Sequence, residues 1–318
     1  MNLLYSIIIP VYNRPNEIDE LLDSLTKQDF SDDFEVLIIE DGSTIKSDII
    51  VKKYKSQLNI KYFFKENTGA GASRNFGMQR ASGNYFIILD SDVIVPTEYL
   101  SEVKQTLENH FTDAFGGPDA AHESFTPFQK AINYSMTSVL TTGGIRGKKQ
   151  AIGKFQLRSF NLGMSQKAFN ETNGFSKMKN GEDIDLTFRV WKAGFETQLI
   201  EKAFVYHKRR STIKQFFKQT FGFGTARPKL NRMYPETVKL TYWFPCIFII
   251  GFDISILLVI LGFNQLLYFY GVYFLLIFLD SLFQNKNVRV AFLSIVTSFT
   301  QFLGYGLGFL ESQFISKK

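Results

Sequence analysis

The sequence predicts an α/β fold with a mostly parallel sheet flanked by helices, followed by transmembrane helices. In the N-terminal part, short apolar runs rich in Ile and Phe alternate with segments of helical spacing, a pattern typical of parallel sheets. After Thr237 the chain is almost continuously apolar. The composition agrees with a membrane-associated part, because 45% of the 318 residues are hydrophobic and only 21% are charged. Soluble domains average about 25% charged residues.

Four apolar runs are predicted as strands, because each is short, rich in β-branched or aromatic residues and bounded by turn-forming residues. They are Ser6–Val11, Phe34–Ile39, Ile60–Phe64 and Tyr85–Leu89. A helix is predicted over Asn16–Gln28, where apolar residues recur every three or four positions. Further helices are predicted over Ser47–Leu58, Ala72–Ala81, which follows a Gly-rich loop, and Ile184–Lys192. Strands that alternate with helices imply a parallel sheet with helices on both faces.

Three apolar segments near the C-terminus are long enough to cross a bilayer as helices. They cover about residues 238–262, 265–283 and 288–310, and a crossing needs about 20 residues for about 30 Å of hydrocarbon. The alternatives are a buried helical core, a re-entrant segment, or a helix lying in the membrane interface. The expected organisation is an N-terminal domain over 1–201, a basic amphipathic interfacial segment over 202–236 and a transmembrane region over 237–318.

Positive charge is concentrated directly before the first apolar segment. Residues 202–232 contain nine Lys or Arg and no acid, in a chain whose net charge is +6. A basic block beside a membrane helix is typical of the cytoplasmic face, where anionic lipids attract it. The N-terminus does not resemble a signal peptide, since it lacks a basic region and Pro10 interrupts its apolar run. We therefore expect a multi-pass protein of the inner or plasma membrane with a cytoplasmic N-terminal domain.

Composition also excludes two classes of protein. The single cysteine, Cys246, excludes a disulfide scaffold and a multi-cysteine metal site. Nucleic-acid binding is not expected, because the basic block contains no recognised nucleic-acid module and adjoins an apolar segment. Membrane lipids are the expected partner of that block.

Polar clusters follow three of the predicted strands. They are Tyr12–Arg14, Glu40–Ser43 and Asp90–Asp92. The carboxyl ends of parallel strands meet at one edge of a sheet, and ligands of such sheets bind there. The three clusters are far apart in sequence, yet the topology is expected to bring them together.

Asp90 and Asp92 are candidate metal ligands. Carboxylate oxygens suit Mg²⁺ or Mn²⁺, and these ions commonly bridge to substrate phosphates. A turn or a helix N-cap is the alternative interpretation. The Gly-rich segment Asn67–Ala72, followed by Arg74, offers a flexible backbone and a guanidinium to a diphosphate. An ordinary loop that begins a helix is the alternative there.

Glu182 and Asp183 begin the predicted helix before Lys192. A carboxylate at a helix N-terminus is stabilised by the helix dipole, so a capping role is the simplest interpretation. The functional alternative is a general base, which needs a carboxylate within hydrogen-bond reach of an acceptor hydroxyl.

Taken together and in order, these segments resemble the family 2 glycosyltransferases, which have the GT-A fold. The resemblance extends from about Tyr5 to Lys229 and rests on SIIIPVYNR, IIEDGS, NTGAGASRNFGMQRASGNYFIILDSD, NLGMSQKAFNETNGF and GEDIDLTFRVWKAGF. It implies a nucleotide-diphosphate sugar as donor, and a single displacement that inverts the anomeric carbon. Each motif is weak alone, and their ordered combination is specific.

The resemblance places seven residues at the nucleotide or diphosphate: Pro10, Tyr12, Asn13, Arg14, Asp41, Arg74 and Asp90. The ring of Tyr12 is expected to stack near the base, and Asp41 to hydrogen-bond the base or ribose. Family members often carry Asp-Asp-Gly-Ser where this chain has Glu40 as the first residue. Arg74 is expected near the diphosphate.

The resemblance also assigns the catalytic and metal-binding residues. Asp90 and Asp92 match the DxD pair that holds a divalent metal, Mg²⁺ or Mn²⁺, with Asp92 the more direct ligand. Asp183 matches the general base, and Glu182 is expected to orient the acceptor or the base. His207 either approaches the metal, as a His does in related enzymes, or is a surface residue at the membrane interface.

The combined expectation is a membrane-anchored transferase that moves one sugar onto a membrane-associated acceptor, for example a lipid-linked saccharide. Processive synthases of the family carry Gln-x-x-Arg-Trp, whereas Gln215 and Gln219 are not followed by Arg-Trp. A polyprenyl phosphate acceptor is the second hypothesis. A catalytically inactive membrane scaffold is the third. The sequence leaves the sugar, nucleotide, linkage and oligomeric state open.

Overall fold

The computed structural model of the chain describes residues 3–143 and 155–315, which form two compact units. The first unit contains the described residues up to His122 together with those from 155 to Lys208. The second contains residues 123–143 and 209–315. Residues 123–143, which are expected from the sequence in the N-terminal domain, group here with the C-terminal helices.

The strands of the described residues all lie in the first unit. They are β1 (Tyr5–Val11), β2 (Phe34–Asp41), β3 (Asn59–Lys65), β4 (Tyr85–Leu89), β5 (Val93–Ile94), β6 (Ala114–Gly116), β7 (Asp119–Ala120), β8 (Asn161–Ser165), β9 (Thr197–Leu199) and β10 (Val205–His207).

The helices are divided between the two units. Those of the first unit are α1 (Pro15–Thr26), α2 (Asp48–Tyr54), α3 (Ala70–Met78), α4 (Tyr99–Asn109), α7 (Gln166–Thr172) and α8 (Glu182–Lys192). Those of the second are α5 (Pro127–Thr137), α6 (Val139–Thr142), α9 (Ile213–Met233), α10 (Phe244–Ile260), α11 (Gln265–Asn285) and α12 (Val288–Leu310).

A seven-stranded sheet in the order β3-β2-β1-β4-β8-β6-β9 forms the centre of the first unit. Strands β3, β2, β1 and β4 are parallel, β8 is antiparallel to both β4 and β6, and β9 is parallel to β6. Every residue of β1 is buried, because helices cover both faces of the sheet. Ile7 and Ile9 therefore pack in one core and Ile8 in the other. The predicted α/β class with a mostly parallel sheet is confirmed.

A second, three-stranded sheet has the order β5-β10-β7. Strand β10 is antiparallel to β5, with His207 opposite Val93, and parallel to β7, with Val205 opposite Asp119. These strands are two or three residues long, too short to show any periodicity in the sequence. The sheet brings three distant parts of the chain to the end of β4.

In the second unit, α12 packs against α5, α9, α10 and α11. Three helical segments of the described residues are long and apolar enough to cross a membrane: Leu240–Ile260, Gln265–Asn285 and Val288–Ile315. The first apolar segment begins its α-helix only at Phe244, after short 3₁₀ turns. Pro245 lies in the first turn, where a missing N–H has no helical partner to lose.

Helices α9 and α12 meet backbone to backbone. A Cβ added at Gly224 of α9 would overlap the carbonyl oxygen of Tyr305 in α12. One added at Gly308 of α12 would overlap the carbonyl oxygen of Phe221, and one at Gly304 would overlap the Thr220 hydroxyl. Glycine is therefore required for this close approach.

A cluster of hydroxyl groups surrounds the acid of α11. Asp280 accepts hydrogen bonds from Tyr134 Oη (2.6 Å) and Ser138 Oγ (3.1 Å). Nearby, Ser135 Oγ lies 2.6 Å from Thr297 Oγ1 and 3.0 Å from Ser298 Oγ. This hydroxyl cluster, which is Tyr134, Ser135, Ser138, Asp280, Thr297 and Ser298, joins α5 to both α11 and α12.

Candidate functional site

The loops after β1 and β2 are tied together by Asn13. Its backbone adopts a positive φ of 54°, which Asn tolerates better than most residues. The Asn13 carboxamide oxygen accepts hydrogen bonds from the backbone N–H groups of Thr44 (2.9 Å) and Ile45 (3.0 Å), and Ser43 Oγ accepts one from Asn13 N. Asn13 thus holds two of the predicted polar clusters at one edge of the sheet, called here the carboxyl edge.

Asp41, at the end of β2, is buried and hydrogen-bonded through both carboxylate oxygens. It accepts bonds from the Thr68 and Gly69 N–H groups, both at 2.9 Å, and pairs with Lys65. Burial alone would raise the pKa of this carboxyl, but the bonds from Lys65 and Thr68 lower it below its ordinary value. Asp41 is therefore held as a carboxylate and fixes the Gly-rich loop before α3.

Glu40 replaces the more common aspartate without disturbing this edge. Its side chain is fully buried and accepts bonds from Ser43 Oγ, Ser47 N (2.9 Å) and Tyr62 Oη (3.2 Å). The longer side chain thus fastens the turn after β2 to the start of α2. These contacts give a structural reason for a glutamate at a position where family members often have an aspartate.

Arg74 of α3 bridges two carboxylates from different parts of the chain. Its Nη2 donates to Asp90 Oδ1 (2.7 Å) and its Nη1 to Glu182 Oε1 (3.2 Å). The residue is only 3% exposed, and its guanidinium lies 5.0 Å from the centroid of the Phe175 ring. Gly71 keeps this approach close, because a Cβ there would lie 3.3 Å from the Phe175 Cβ. Arg74 therefore connects the end of β4 to the start of α8.

Asp92 is buried between two basic side chains. Arg14 Nη1 donates to Asp92 Oδ2, and His207 Nε2 lies 3.3 Å from Asp92 Oδ1. Burial would raise the pKa of this carboxyl, but the charges and hydrogen bonds of His207 and Arg14 hold it well below its ordinary range. Of the two outcomes the sequence left open for His207, the structure shows it next to the DxD pair.

Asp119 lies on the other side of the His207 ring. Its side chain is fully buried, and its Oδ2 is 3.8 Å from His207 Nδ1. The Phe160 ring also packs against the imidazole, with ring centroids 4.9 Å apart. Asp119 was not predicted from the sequence, because only the short strands β7 and β10 place it there. The Gly-Gly-Pro before it signals a turn rather than a site.

Asp90, Asp92 and His207 each offer one ligand atom within 4.8 Å of the other two. Two carboxylates and an imidazole are ligands that Mn²⁺ and Mg²⁺ sites use. Each of the two carboxylates is paired with a guanidinium, Asp90 with Arg74 and Asp92 with Arg14, so a bound cation would share the carboxylates with these side chains. The residues present therefore fit a divalent cation.

Glu182 and Asp183 begin α8, after Gly181 in a left-handed conformation with φ of 79°. Asp183 accepts hydrogen bonds from the backbone N–H groups of Ile184 (2.8 Å) and Ser159 (3.4 Å). Burial, together with the neighbouring charge of Asp183, raises the pKa of Glu182 to about 7. The pair thus begins α8, whose N-cap is Gly181 without a side-chain cap hydrogen bond, and Arg74 joins the pair to the carboxyl edge.

Two of the predicted nucleotide residues differ in accessibility. Tyr12 is 52% exposed, so its ring can stack on a planar ligand. Pro10 is buried within β1, opposite Ile39 of β2, so it belongs to the interior of the sheet rather than to an exposed surface. Of the other predicted nucleotide residues, four lie at or just after the ends of β1, β2 and β4, namely Asn13, Arg14, Asp41 and Asp90. Arg74 lies in the middle of α3.

Known proteins are similar to this chain. Residues 6–172 match the family described as Glycosyl transferase family 2. The chain is similar to poly(ribitol-phosphate) beta-N-acetylglucosaminyltransferase TarS of Staphylococcus aureus, with 38% identity over 112 residues, which is 34% of this chain and 20% of TarS. It is also similar to succinoglycan biosynthesis protein ExoA of Rhizobium meliloti, with 24% identity over 70% of this chain and 68% of ExoA. The match thus spans about a fifth of the length of TarS.

Solved structures show the same fold. The mannosyltransferase PcManGT from Pyrobaculum calidifontis, in complex with GDP-Man and Mn²⁺, has a TM-score of 0.62 at 13% identity, covering 100% of this chain and 89% of that one. Residues 1–349 of S. aureus TarS in complex with UDP have a TM-score of 0.51 at 19% identity, covering 97% and 90%. Since the family match covers more than half of the chain, the protein belongs to glycosyl transferase family 2.

Proposed function

We propose that the protein transfers one sugar from a nucleotide-diphosphate donor to a membrane-associated acceptor, with inversion at the anomeric carbon. The observation that carries this proposal is the convergence of Asp90, Asp92 and His207 within 4.8 Å. Arg74 links that group to Glu182, the neighbour of Asp183. A cation-binding group and a pair of carboxylates at one sheet edge are what a single displacement on a nucleotide sugar requires.

Asp183 is the general base of this reaction. The acceptor hydroxyl oxygen forms a bond to the anomeric carbon while the bond from that carbon to the diphosphate oxygen breaks. The hydroxyl proton passes to the Asp183 carboxylate, whose two backbone hydrogen bonds fix its orientation. Glu182 orients this site through Arg74. Unlike glycoside hydrolysis, the leaving diphosphate needs no carboxylic acid to protonate it.

Asp90, Asp92 and His207 are the residues that would hold Mn²⁺ or Mg²⁺. The bound cation would offset the negative charge that develops on the leaving diphosphate. Asp119, with Oδ2 3.8 Å from His207 Nδ1, attracts that side of the imidazole and leaves Nε2 facing Asp92. Arg14 and Arg74 supply further positive charge for the diphosphate.

The donor pocket is formed by the loops after β1 and β2. Tyr12 stacks on the base, Asp41 accepts from the base or ribose, and Asn13 keeps both loops in place. A UDP or GDP sugar is the expected donor, which agrees with the GDP-Man held by PcManGT and the UDP held by TarS.

The acceptor is a lipid-linked saccharide, presented at the cytoplasmic face of the inner or plasma membrane. The apolar helices of the second unit and the basic residues of 202–232 support a membrane location. ExoA, named for succinoglycan biosynthesis, supports a saccharide acceptor. Polyprenyl phosphate is the second candidate acceptor, and incubation of the enzyme with each acceptor in turn separates the two by product mass.

The proposal is tested by donor-dependent thermal stabilisation of the detergent-purified protein. A panel of UDP-, GDP- and dTDP-sugars is measured with Mn²⁺ and with EDTA. We expect one donor to raise Tm only when Mn²⁺ is present, and Asp92→Asn to remove that rise. Asp23→Asn, an exposed carboxylate paired with Lys27, is the matched control and keeps it. A donor that stabilises equally in EDTA would contradict the metal site, and stabilisation without transfer to any acceptor would favour a scaffold.

A further inference from the structure

The start of α10 lies beside the end of α12. The rings of Trp243 and Phe309 have centroids 4.8 Å apart, and Cys246 Sγ donates to the Gly306 carbonyl oxygen at 3.5 Å. Further along α10, the Phe252 ring lies 5.2 Å from that of Phe299. Residue numbers rise along one helix as they fall along the other, so α10 and α12 run in opposite directions.

This direction conflicts with three successive membrane crossings. A chain that crosses three times runs the same way through its first and third helices, and its two ends emerge on opposite faces. Here the first and third helices are antiparallel, and Trp243 meets Phe309. The two ends of the apolar region therefore lie close together.

Helix α10 meets α11 in a single cluster of rings. Phe248 and Phe252 of α10 each contact both Tyr270 and Phe274 of α11, in all four combinations, with centroids 4.9–6.3 Å apart. A contact concentrated in one ring cluster is typical of helices that cross at an angle.

One side of helix α12 packs against α5 and α9. Thr297 and Ser298 contact Ser135 of α5, and Gly304 and Gly308 contact α9. Helix α9 carries four exposed basic residues, at its beginning and at its end: Lys214, Lys218, Lys229 and Arg232. Because α9 runs beside α12 in the same direction, α12 lies parallel to a basic helix that suits an anionic membrane surface.

An exposed acid lies in the middle of α10. Asp253 is exposed and is flanked by the exposed Ile254 and Ile256. A charged side chain facing lipid at the centre of a crossing helix costs about 2.5–3.5 kcal/mol or more. At the membrane interface the same side chain reaches water.

We propose that α10, α11 and α12 form a monotopic membrane surface that enters one leaflet and does not cross the bilayer. Its partner is the hydrocarbon of an anionic leaflet. The contact surface is the exposed apolar face of α10 and α11, including Ile250, Leu257, Phe269, Leu276 and Leu279. In this topology both ends of the apolar region lie on one face of the membrane, in place of the three crossings that the sequence predicts. The proposal does not depend on the transfer chemistry.

The test places single cysteines along the second unit in a Cys246→Ala background. The probe positions, all exposed, are Lys214, Lys239, Asn264, Asn287 and Phe314. Each variant is labelled with a membrane-impermeant maleimide in sealed right-side-out and inside-out vesicles. We expect all five cysteines to react in the same vesicle orientation and none in the other, whereas all react after detergent is added.

Membrane crossings would give different patterns. With three crossings, Asn264→Cys and Phe314→Cys would react in the opposite orientation from Lys239→Cys and Asn287→Cys. With crossings by α10 and α12 alone, Asn264→Cys and Asn287→Cys would react together from the far face. Any probe that reacts from the opposite face overturns the proposal.

Oriented circular dichroism of the unmodified protein in anionic bilayers provides a measurement without substitutions. Helices aligned with the membrane plane are expected for the monotopic surface. A signal from helices along the membrane normal would overturn the proposal equally.

Discussion

The aspartates of the carboxyl edge and the aspartate of the hydroxyl cluster are held in different ways. In the first unit, Asp41, Asp90 and Asp92 are each paired with a cationic side chain: Lys65, Arg74 and Arg14. In the second unit, Asp280 is held by the hydroxyl groups of Tyr134 and Ser138 and by the amide of Gln284. In the proposed function, the carboxylates of the first arrangement would take a metal and their cationic partners would take the diphosphate, whereas the second arrangement joins helices.

An aspartate therefore responds differently in the two units when one of its partners is removed. Removing a cation from the carboxyl edge leaves a buried charge without compensation, which is strongly destabilising. Removing one hydroxyl from the hydroxyl cluster leaves an acid with its remaining donors, which costs the free energy of about one hydrogen bond. Substitutions in each unit measure this contrast.

The largest effect is expected at Asp183, whose hydrogen-bond partners are backbone N–H groups rather than a cation. Asp183→Asn keeps the side-chain shape and removes the base, so kcat should fall about 10²–10⁴-fold with little change in Tm. Steady-state kinetics with the stabilising donor measure it. Asp185→Asn, whose carboxylate pairs with Arg189, is the comparison and should lower Tm rather than kcat. Full turnover by Asp183→Asn would remove the base assignment.

Arg74→Met should give the largest loss of stability. Asp90 and Glu182 would lose the guanidinium that they share, and breaking a buried ion pair in this way costs about 3–5 kcal/mol. Urea unfolding measures the change. Arg80→Met is the control, because Arg80 lies just after the same helix but is exposed on the Phe76 ring. Equal losses for both variants would show that Arg74 contributes only packing.

Asp119→Ala should weaken Mn²⁺ binding about 10–100-fold, the usual effect of losing a carboxylate behind a ligating histidine. Asp119→Asn keeps an acceptor oxygen for His207 Nδ1 and should lose less affinity. Isothermal titration with Mn²⁺ alone measures both constants without turnover. An unchanged affinity in both variants would limit Asp119 to a role in folding.

Tyr134→Phe tests the second unit and should lower the free energy of unfolding by about 1–3 kcal/mol, because Asp280 loses one donor. The control is Tyr268→Phe, since Tyr268 is exposed and its hydroxyl accepts from the exposed Asn264. A loss as large as that of Arg74→Met would erase the contrast between the two units.

Glu182→Gln should have an effect on stability that depends on pH. Burial, with the charge of Asp183, raises the pKa of Glu182 from 4.5 to about 7. Between these values the folded protein holds a proton that the unfolded chain has lost, so the free energy of unfolding falls as pH rises. Glutamine does not titrate, and the variant should gain on the order of 1–3 kcal/mol relative to the unmodified protein between pH 5 and pH 8.

Thermal unfolding without added metal at the two pH values measures this gain. Glu98→Gln, at an exposed position, should shift Tm equally at both. If Glu182→Gln instead lost stability relative to the unmodified protein as pH rises, Glu182 would be stabilised as a carboxylate by Arg74.

The regular part of the first unit was well predicted from the sequence. The strand Tyr85–Leu89 is as predicted, and β1 and β2 differ from prediction by one or two residues at an end. Apolar runs with buried neighbours on both faces give a strong local signal. For the same reason, the clusters that follow β1, β2 and β4 could be assigned to one edge from the order of the strands alone.

What the sequence could not predict depends on contacts between distant residues. Strands β5, β7 and β10 are too short for a pattern, so Asp119 was not predicted, and the sequence left His207 open between the metal site and the surface. The grouping of α5 with the C-terminal helices depends on hydroxyl pairs such as Ser135 with Thr297. Likewise, the length of α10 and α12 predicts membrane contact, but their antiparallel direction follows only from packing.

The contact between α9 and α12 has a practical consequence for building chimeras with related enzymes. At Gly224 and Gly308 an added Cβ would meet a backbone carbonyl oxygen of the other helix, and a carbonyl oxygen cannot be repacked to make room for a larger residue. An exchange that replaces α12 alone with a helix bearing alanine or larger residues there would separate it from α9. The two helices therefore have to be exchanged as a single module, together with the stretch of chain that connects them.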